Sequence, residues 1–549
     1  MANDKQPVYI LPENIQRMIG RDAQRNNILA ARLVAETVKT TLGPKGMDKM
    51  LVSSIGDIIV TNDGVTILDE MEIEHPAAKM VVEVAKTQEA EVGDGTTTAV
   101  ILAGKLLENA EKLLDEKIHP TVIARGYRIA AEKAQEIAKE LAYRITPDQV
   151  DLLKQVSMTA MVGKGAEQAK EKLSDVVVHA VLQVMEKTDE GIKVDKSNIK
   201  IEKRRGEGIE NTELVSGIVL DKEKVHADMP SIVKEARIAL IDSALELKNP
   251  ETDTKVNISS PDQLQAFLDQ EDRILKNMVD KIKTSGATVV LCQKGIDDIA
   301  QYYLAKEGIL ALRRIKASDI EKLAKATGAK VMSNLNELTS NELGYAALVK
   351  EVRNESGEGL LYITGCKNPK ALTILIRGST EHVIDEIERA IKDGIGDVAV
   401  ALEKGLVVAG GGAFEIEMSK RLKKFSQGIR GREQLAINAF AEAFEVIPRT
   451  LAENAGLDPI EVLTELKARH EEGKATYGLD VSTNVSIVGE ITDTIKKGII
   501  EPLEIKIQAT RSASEVAVMI LRIDDVIASS KGGGGMHGGM PPQGMGGYD

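Results

Sequence analysis

The chain has 549 residues, a formal net charge of −14, 3% aromatic residues, no tryptophan and two cysteines. Its length exceeds what one hydrophobic core usually organises, and 43% hydrophobic residues can supply several cores. The acidic excess and the scarcity of aromatic rings argue against a nucleic-acid partner, and Cys292 and Cys366 are too few for a disulfide framework.

The N-terminus, MANDKQPVYILPENIQ, is polar and lacks the apolar segment of a secretion signal. No run of about 18 apolar residues occurs anywhere in the chain. We therefore expect a cytoplasmic protein with no membrane partner.

Hydrophobic periodicity divides the chain into three parts. Residues 22–145 are predicted to be mostly helical, with amphipathic stretches such as NNILAARLVAETVKTTL. From about 217 to 378, short β-branched runs such as ARIALID, ATVVLCQK and LTILIRG alternate with helical segments, which is typical of an α/β unit. Helical periodicity returns from about 380. This order suggests one domain inserted into another, followed by a Gly/Met tail that cannot bury a core.

The stretch EVGDGTTTAV (91–100) has the composition of a phosphate loop. Gly93 and Gly95 tolerate positive φ, so successive N–H groups can point into one concavity that suits an anion. Three threonines then begin a helical pattern, and a helix N-terminus favours phosphate. Asp94 is a hard oxygen ligand of the kind that holds Mg²⁺ between phosphate oxygens. The alternative is an ordinary glycine turn with a threonine N-cap.

Three further stretches expose backbone in the same way: TLGPKG (41–46), TNDGVTIL (61–68) and VVAGGGAFE (407–415). Each alone is more often an ordinary turn, but their joint occurrence indicates a site. There is no G-x-x-x-x-G-K-[ST], and the one G-x-G-x-x-G match lies in the tail. A nucleotide would therefore be bound outside the P-loop and Rossmann designs.

The motifs T-L-G-P-K-G-M-D-K-M, N-D-G-V-T-I-L, G-D-G-T-T-T-A-V and A-G-G-G-A, with I-L-R-I-D-D-V-I before the tail, together resemble the chaperonin family. The stretches G-R-D-A-Q-R, H-P-A-A-K-M, C-K-N-P-K-A, I-R-G-S-T-E-H-V-I-D-E and L-A-E-N-A-G-L-D are similar to the group II branch, and most of all to archaeal thermosome subunits. The resemblance runs from about residue 8 to the tail.

The resemblance implies a multidomain α and α/β fold: a helical equatorial domain made from both chain ends, a small intermediate domain crossed twice, and an α/β apical domain with a helical protrusion. The expected boundaries are 1–145 and 406–530 for the equatorial domain, 146–216 and 369–405 for the intermediate domain, 217–368 for the apical domain with its protrusion at about 245–279, and 531–549 for a disordered tail.

By position, the resemblance assigns Asp393 to orienting the attacking water of ATP hydrolysis, with Asp63 as its helper, and Asp94 to Mg²⁺. Lys164 matches a lysine that reports the γ-phosphate to the intermediate domain. The other implied contacts of ATP or ADP are Leu42, Gly43, Pro44, Gly95, Thr96, Thr97, Thr98, Gly410, Gly411, Asp480, Val481, Glu501 and Lys506.

Hydrolysis of a phosphoanhydride needs mainly charge neutralisation and in-line positioning, so no covalent nucleophile is required. Because Asp393 lies far along the chain from Asp94, a site that needs both is completed only when the intermediate domain closes on the equatorial one. Lys392 and Gly394 depart from the family pattern beside Asp393, and Asp397 is the next candidate for the role.

The segment NISSPDQLQAFLDQEDRILKNMVDKI (257–282) predicts a helix with Ser260 as its N-cap and Pro261 at its first position. We expect most of its apolar stripe to face a core. The resemblance implies that this helix forms a protrusion that helps to close a ring's cavity. The stripe consists of Leu264, Phe267, Leu268, Leu275, Met278, Val279 and Ile282.

The function implied by the resemblance is an ATP-dependent chaperonin. Identical or closely related subunits would form a double ring that encloses non-native client proteins and closes a built-in lid on ATP binding and hydrolysis. The alternatives are an ATP-dependent small-molecule kinase or synthetase, which needs an acceptor for turnover, and a scaffold, which shows no turnover. The number of subunits in a ring, eight or nine, and the identity of the clients stay open.

Overall fold

A computed structural model describes residues 15–53, 56, 58–165, 169–189, 191–247, 260–353, 359–367, 369–481 and 489–529. The predicted Gly/Met tail from residue 531, and residues 248–259 of the predicted protrusion, lie outside the described residues. Among the described helices, none combines the length and the apolar character needed to cross a membrane.

The described helices are α1 (Gly20–Lys39), α2 (Gly64–Glu70), α3 (Pro76–Val92), α4 (Thr96–Asp115), α5 (Pro120–Glu140), α6 (Val150–Met161), α7 (Lys170–Val184), α8 (Pro261–Ser285), α9 (Asp298–Lys306), α10 (Ala317–Thr327), α11 (Glu381–Lys404), α12 (Ala413–Ser426), α13 (Glu433–Ala443), α14 (Val446–Asn454), α15 (Pro459–Glu471), α16 (Thr494–Lys497) and α17 (Leu503–Leu521).

The described strands are β1 (Ile15–Ile19), β2 (Lys49–Val52), β3 (Ile58–Thr61), β4 (Tyr143–Arg144), β5 (Met185–Thr188), β6 (Gly191–Val194), β7 (Ile199–Arg205), β8 (Glu213–Val215), β9 (Gly217–Leu220), β10 (Ile232–Ile241), β11 (Val289–Cys292), β12 (Leu310–Leu312), β13 (Val331–Met332), β14 (Gly344–Arg353), β15 (Gly359–Thr364), β16 (Leu372–Gly378), β17 (Leu406–Ala409), β18 (Tyr477–Asp480), β19 (Glu490–Asp493), β20 (Ile500–Pro502) and β21 (Asp525–Ser529).

The largest hydrophobic core is helical and is built from both ends of the chain. Helix α4 is buried around most of its circumference, and a helix of that kind must be surrounded by others. It contacts α1 and α3 from the first part of the chain and α13 and α17 from the last part. The Tyr127 hydroxyl donates to the Leu106 carbonyl at 2.7 Å, and its ring packs edge-on against Phe440. The two chain ends therefore fold as one unit.

A second core lies under a seven-stranded sheet in the middle of the chain. The strand order is β12-β11-β10-β14-β15-β9, with β13 also pairing with β10. Strands β10, β11 and β12 pair in parallel, whereas β10, β14, β15 and β9 pair antiparallel. The alternation of strands with α8, α9 and α10 confirms the predicted α/β unit.

A third, smaller core is formed by two separated stretches of the chain, which contribute α6 and α7 on one side and α11 and β16 on the other. The run LTILIRG forms β16, which pairs with β7 and β8 and not with the larger sheet. The predicted fold class, a helical unit from both ends with a twice-crossed small unit and a central α/β unit, is confirmed. The residue boundaries of the domains stay a prediction.

Gly104 sets how closely α1 and α4 approach. A Cβ atom at this position would overlap the Cβ atom of Ala35 in α1. Because α4 begins with the three threonines of the predicted phosphate loop, this contact also fixes where that loop lies.

We expect Gly104→Ala to lower the free energy of unfolding by about 1–3 kcal/mol, the usual cost of overpacking. Elsewhere in a helix the same change would stabilise by about 1 kcal/mol. The measurement is the urea midpoint of the full-length protein. The double variant Ala35→Gly/Gly104→Ala removes the overlap and should recover much of the loss. A midpoint raised by Gly104→Ala alone would contradict this packing.

Candidate nucleotide site

A cavity of about 290 Å³ lies where the phosphate loop, α6, α11 and the C-terminal strands meet. Most of the residues assigned from sequence line it, although they come from widely separated parts of the chain. They are Leu42, Gly43, Pro44, Asp63, Asp94, Gly95, Thr96, Thr97, Thr98, Lys164, Gly411, Asp480, Val481, Glu501 and Lys506. Gly410 and Asp393 do not line the cavity.

The phosphate loop joins two helices through two left-handed glycines. Gly93 ends α3 at φ +84°, and Gly95 precedes α4 at φ +78°. A Cβ atom on Gly95 would come within 2.6 Å of the Ile505 side chain, so a larger residue is excluded by space as well as by φ. No side-chain cap at the start of α4 is found among the described residues. The first N–H groups of α4 therefore remain available to an anion in the cavity.

Lys164 joins the loop after α6 to acids from two other segments. Its Nζ pairs with Asp393 Oδ2 on α11 and lies 3.5 Å from Asp94 Oδ1 in the phosphate loop. Burial by itself would lower the pKa of Lys164, but Asp393 and Asp94 raise it above its usual value. Burial raises the pKa of Asp393, and Lys164 acts against that shift. The Asp393 carboxylate is thus held by Lys164 instead of facing the cavity.

Asp63 lines the cavity and also forms hydrogen bonds with Thr66. Its carboxylate accepts hydrogen bonds from the Thr66 N–H at 2.9 Å and the Thr66 hydroxyl at 2.7 Å, which caps α2. The adjacent Asn62 donates to the Gly163 carbonyl, which ties this turn to the residue before Lys164.

The opposite end of the cavity holds a buried ion cluster. Lys506 Nζ lies 2.6 Å from Glu501 Oε2 and 2.9 Å from Glu415 Oε1. Burial alone would lower the pKa of Lys506, but the two carboxylates raise it. Sequence reasoning missed Glu415, because an acid in the first turn of α12 has the same pattern as a solvated one.

Gly411 and β18 form the wall near Asp480. Gly411 has φ +63°, its carbonyl accepts from the Leu479 N–H at 2.8 Å, and a Cβ atom on it would meet the Leu479 carbonyl. Gly410 lies behind this wall, where a Cβ atom would come within 2.8 Å of Glu501 Oε1. The glycine run therefore allows close backbone packing beside the site.

Two glycines of α11 bring that helix to the cavity. A Cβ atom on Gly394 would come within 2.7 Å of Met161 in α6, and one on Gly396 within 3.4 Å of the Val92 carbonyl beside the phosphate loop. Asp397, in the next position, lines the cavity. The glycine beside Asp393 is thus explained by helix packing.

Residues 34–531 match a family model that is described as the TCP-1/cpn60 chaperonin family. This chain belongs to that family. It is 60% identical over 529 residues to a thermosome subunit of Methanopyrus kandleri, with 96% of each chain covered. It is also 60% identical over 541 residues to thermosome subunit beta of Archaeoglobus fulgidus, with 98% of each covered.

A solved structure, the open-state monomer of a group II chaperonin from Methanococcoides burtonii, matches with a TM-score of 0.59 and 45% identity. The match covers 79% of this chain and all of the other. The predicted membership of the group II chaperonins, with similarity to archaeal thermosome subunits, is confirmed. These relatives support the predicted function of an ATP-dependent chaperonin and give no support to a small-molecule kinase or synthetase.

A buried histidine fixes the strand that carries Asp480. His470 Nδ1 lies 2.9 Å from Glu417 Oε2, and its Nε2 lies 2.8 Å from the Tyr477 carbonyl at the start of β18. The ring therefore connects Glu417 of α12 to the start of β18. Burial would raise the pKa of Glu417, but hydrogen bonds from His470 and Arg421 outweigh it and lower the pKa to about 2.

We expect Glu417→Gln to lower the free energy of unfolding by about 1.5–3 kcal/mol at neutral pH, the range for hydrogen bonds to charged groups. A carboxylate with a lowered pKa stabilises the fold above its unfolded pKa and loses that effect as the pH falls through the folded value. The difference from the parent should therefore shrink between about pH 4.5 and pH 2. Urea midpoints across this range test it.

The control for this experiment is Glu471→Gln, because the Glu471 side chain is 72% exposed and its ion pair with Lys420 is long, at 3.7 Å. This change should cost less than about 0.5 kcal/mol. A Glu417→Gln deficit that stayed constant down to pH 2 would contradict the pKa assignment.

Proposed function

We propose that this chain is an ATP-hydrolysing subunit of a double ring that encloses non-native proteins, and that the cavity holds ATP or ADP with Mg²⁺. The observation that carries the proposal is the convergence of three chain segments on one cavity. The phosphate loop brings Asp94 and the loop after α6 brings Lys164 to the cavity lining. Helix α11 brings Asp393, which lies outside the lining and pairs with Lys164. A cytoplasmic location stays a prediction.

The residues present fit a magnesium nucleotide. The uncapped start of α4, the threonine hydroxyls and Lys164 supply donors for phosphate oxygens, and Asp94 supplies an oxygen ligand for the metal. Mg²⁺, when bound, would neutralise negative charge on the phosphates. Asp480, Glu501 and Lys506 lie in the part of the wall that we assign to ribose and base.

Lys164 is the residue that can transmit the state of the nucleotide. Its ammonium group is held by Asp393 and Asp94, and a terminal phosphate would compete with both carboxylates for it. We infer that Lys164 moves onto the phosphate, which releases Asp393 to orient the attacking water. Asp393 then acts as the proton acceptor, with Asp63 as its helper.

From the same contacts we infer a coupling between hydrolysis and domain closure. Asp94 belongs to the helical core, whereas Asp393 and α6 belong to the smaller core. Any movement of one core relative to the other changes the distance between the metal ligand and the water-orienting carboxylate. Turnover would therefore require the closed arrangement.

Exposed apolar strands support assembly with other subunits. The β2–β3 hairpin exposes Met50, Val52 and Ile58, each more than half accessible, and the β1–β21 pair exposes Ile527. Edge strands with exposed apolar side chains are usually covered by another chain. We infer that these strands contact neighbouring subunits in the ring.

Helix α8 supports the proposed lid. Leu275, Val279 and Ile282 in its second half are buried in the central core, and Met278 packs against them. In its first half, Leu264, Phe267 and Leu268 are all exposed. Four of the seven residues of the stripe therefore face the core, as the sequence predicts, and we infer that the three exposed ones contact other lids or clients.

Two substitutions separate the tasks that we propose for Asp94 and Asp393. Asp94→Ala should weaken Mg-ATP binding as well as turnover, because the triphosphate loses its counter-ion bridge. Asp393→Ala should lower hydrolysis by about 10²–10⁴ and leave ATP affinity within a few-fold, because it removes a positioned base. Single-turnover hydrolysis beside equilibrium ATP binding measures both.

The control is Lys392→Ala, which changes an exposed neighbour on the same helix and should keep both parameters. Near-parental hydrolysis by Asp393→Ala would show that another group orients the water.

A further prediction concerns the proposed lid. The triple variant Leu264→Ser/Phe267→Ser/Leu268→Ser should keep ATP turnover within about twofold, because these exposed side chains are not among those that line the cavity. It should lose ATP-dependent protection of a trapped client from protease. Ile460→Ser, another exposed apolar residue on α15, is the control and should retain protection. Equal protection by the triple variant and the parent would contradict the lid assignment.

A further inference from the structure

Asp397 is a buried acid in the cavity wall that has no role in the mechanism above. Its side chain is only 2% exposed, and its Oδ1 has no hydrogen-bond partner among the described residues. A buried carboxylate without partners is costly, so folded proteins usually pair it or use it. Because Asp397 lines the cavity, its partner can come from a bound ligand.

The position of Asp397 on α11 directs it to the phosphate loop. It lies one helical turn after Asp393, so the two share a helix face. The preceding Gly396 lets the helix backbone come close to Val92 and Gly93, immediately before Asp94. The helix thus carries two acids past the loop, and only Asp393 has its oxygen held by Lys164.

The charges around Asp397 are mostly negative. Burial raises the pKa of Asp397 and Asp94 raises it further, while Lys164 acts in the opposite direction. Lys164 is already shared between Asp393 and Asp94. A divalent cation between Asp94 and Asp397 would remove the repulsion between them.

The two carboxylates of Asp94 and Asp397 fit a Mg²⁺ ion that is also bound by phosphates of the nucleotide. No cluster of three or more His, Cys, Asp or Glu side chains suited to a metal is found in the described part of the chain. Mg²⁺ is usually held by one or two carboxylates together with substrate phosphates and waters, and not by a complete protein cage. Asp94 and Asp397 would complete that pattern once a nucleotide contributes its phosphate oxygens.

We propose that Asp397 is a second carboxylate ligand of the nucleotide's Mg²⁺, brought to Asp94 by the close approach of α11 to the phosphate loop. The proposal rests on the proposed nucleotide function of the cavity. It gives the two acids of α11 different tasks: Asp393 handles the water and Asp397 holds the metal. Metal binding would then join the helical core to the smaller core directly.

The proposal predicts that removing the charge of Asp397 affects ADP binding differently with and without Mg²⁺. Asp397→Asn keeps the size of the side chain and removes its charge. With Mg²⁺, the variant should bind ADP more weakly, because the metal loses a ligand. With EDTA, it should bind ADP at least as tightly as the parent, because one carboxylate that repels the phosphates is gone.

The experiment measures equilibrium binding of ADP to the assembled full-length protein, in saturating Mg²⁺ and in EDTA. The quantity compared is the affinity for ADP in Mg²⁺ divided by the affinity for ADP in EDTA. We expect this ratio to fall about 10-fold or more in Asp397→Asn, the usual scale for a group that supports a bound metal. An unchanged ratio, within about twofold, would overturn the proposal, whether the variant bound ADP normally or equally weakly in both conditions.

Two matched variants separate this proposal from the proposed function. Asp94→Asn should also lower the ratio; if neither Asp94→Asn nor Asp397→Asn changed it, the magnesium site itself would be wrong. If Asp94→Asn alone changed it, only the role of Asp397 would fail. Asp385→Asn removes a carboxylate from the same helix, where it pairs with Lys203 outside the cavity, and should leave the ratio unchanged.

A measurement on the parent protein covers the case in which Asp397→Asn fails to assemble. Anomalous scattering from Mn²⁺ in a complex with ADP locates the ion. Coordination by both Asp94 and Asp397 would support the proposal, and coordination by Asp94 without Asp397 would overturn it.

Discussion

The partly buried ion pairing of Lys164 with Asp393 and Asp94 is the interaction on which the rest of the site depends. A charge that is largely withdrawn from water needs partners of opposite charge, and losing one of them destabilises the fold. Here Asp94 comes from the helical core, and Asp393 comes from the third, smaller core. The fold must therefore bring both cores together to keep Lys164 paired, and the cavity that we propose for the nucleotide lies at that junction.

Small residues make the junction possible. Gly396 lets α11 lie against the phosphate loop, and Gly394 lets the same helix pack on α6, which ends just before Lys164. On the other side, α4 is held in the centre of the helical core with its uncapped N-terminus directed at the cavity. A group of phosphates bound there would meet the start of α4, Lys164 and the carboxylates at once. Binding energy and domain position would thereby be linked.

The sequence predicts what is local and misses what packing decides. The predicted phosphate loop is contiguous, so its glycines, threonines and Asp94 stand out in the sequence. The alternation of short β-branched runs with helical segments predicts the α/β unit. By contrast, Asp397 and Glu415 have the pattern of solvated acids, and only tertiary packing buries them. The apolar stripe of α8 is continuous in sequence, yet its first half is exposed and its second half is core, because the sheet supports only the second half.

The most direct test of this account is the structure of the assembled protein with Mg-ADP and aluminium fluoride as a mimic of the transferring phosphoryl group. The account predicts that the phosphates lie against the first N–H groups of α4 and that Lys164 Nζ leaves Asp393 for the fluoride. Phosphates bound away from residues 95–98, or a Lys164 that still pairs with Asp393 when the mimic is bound, would contradict it.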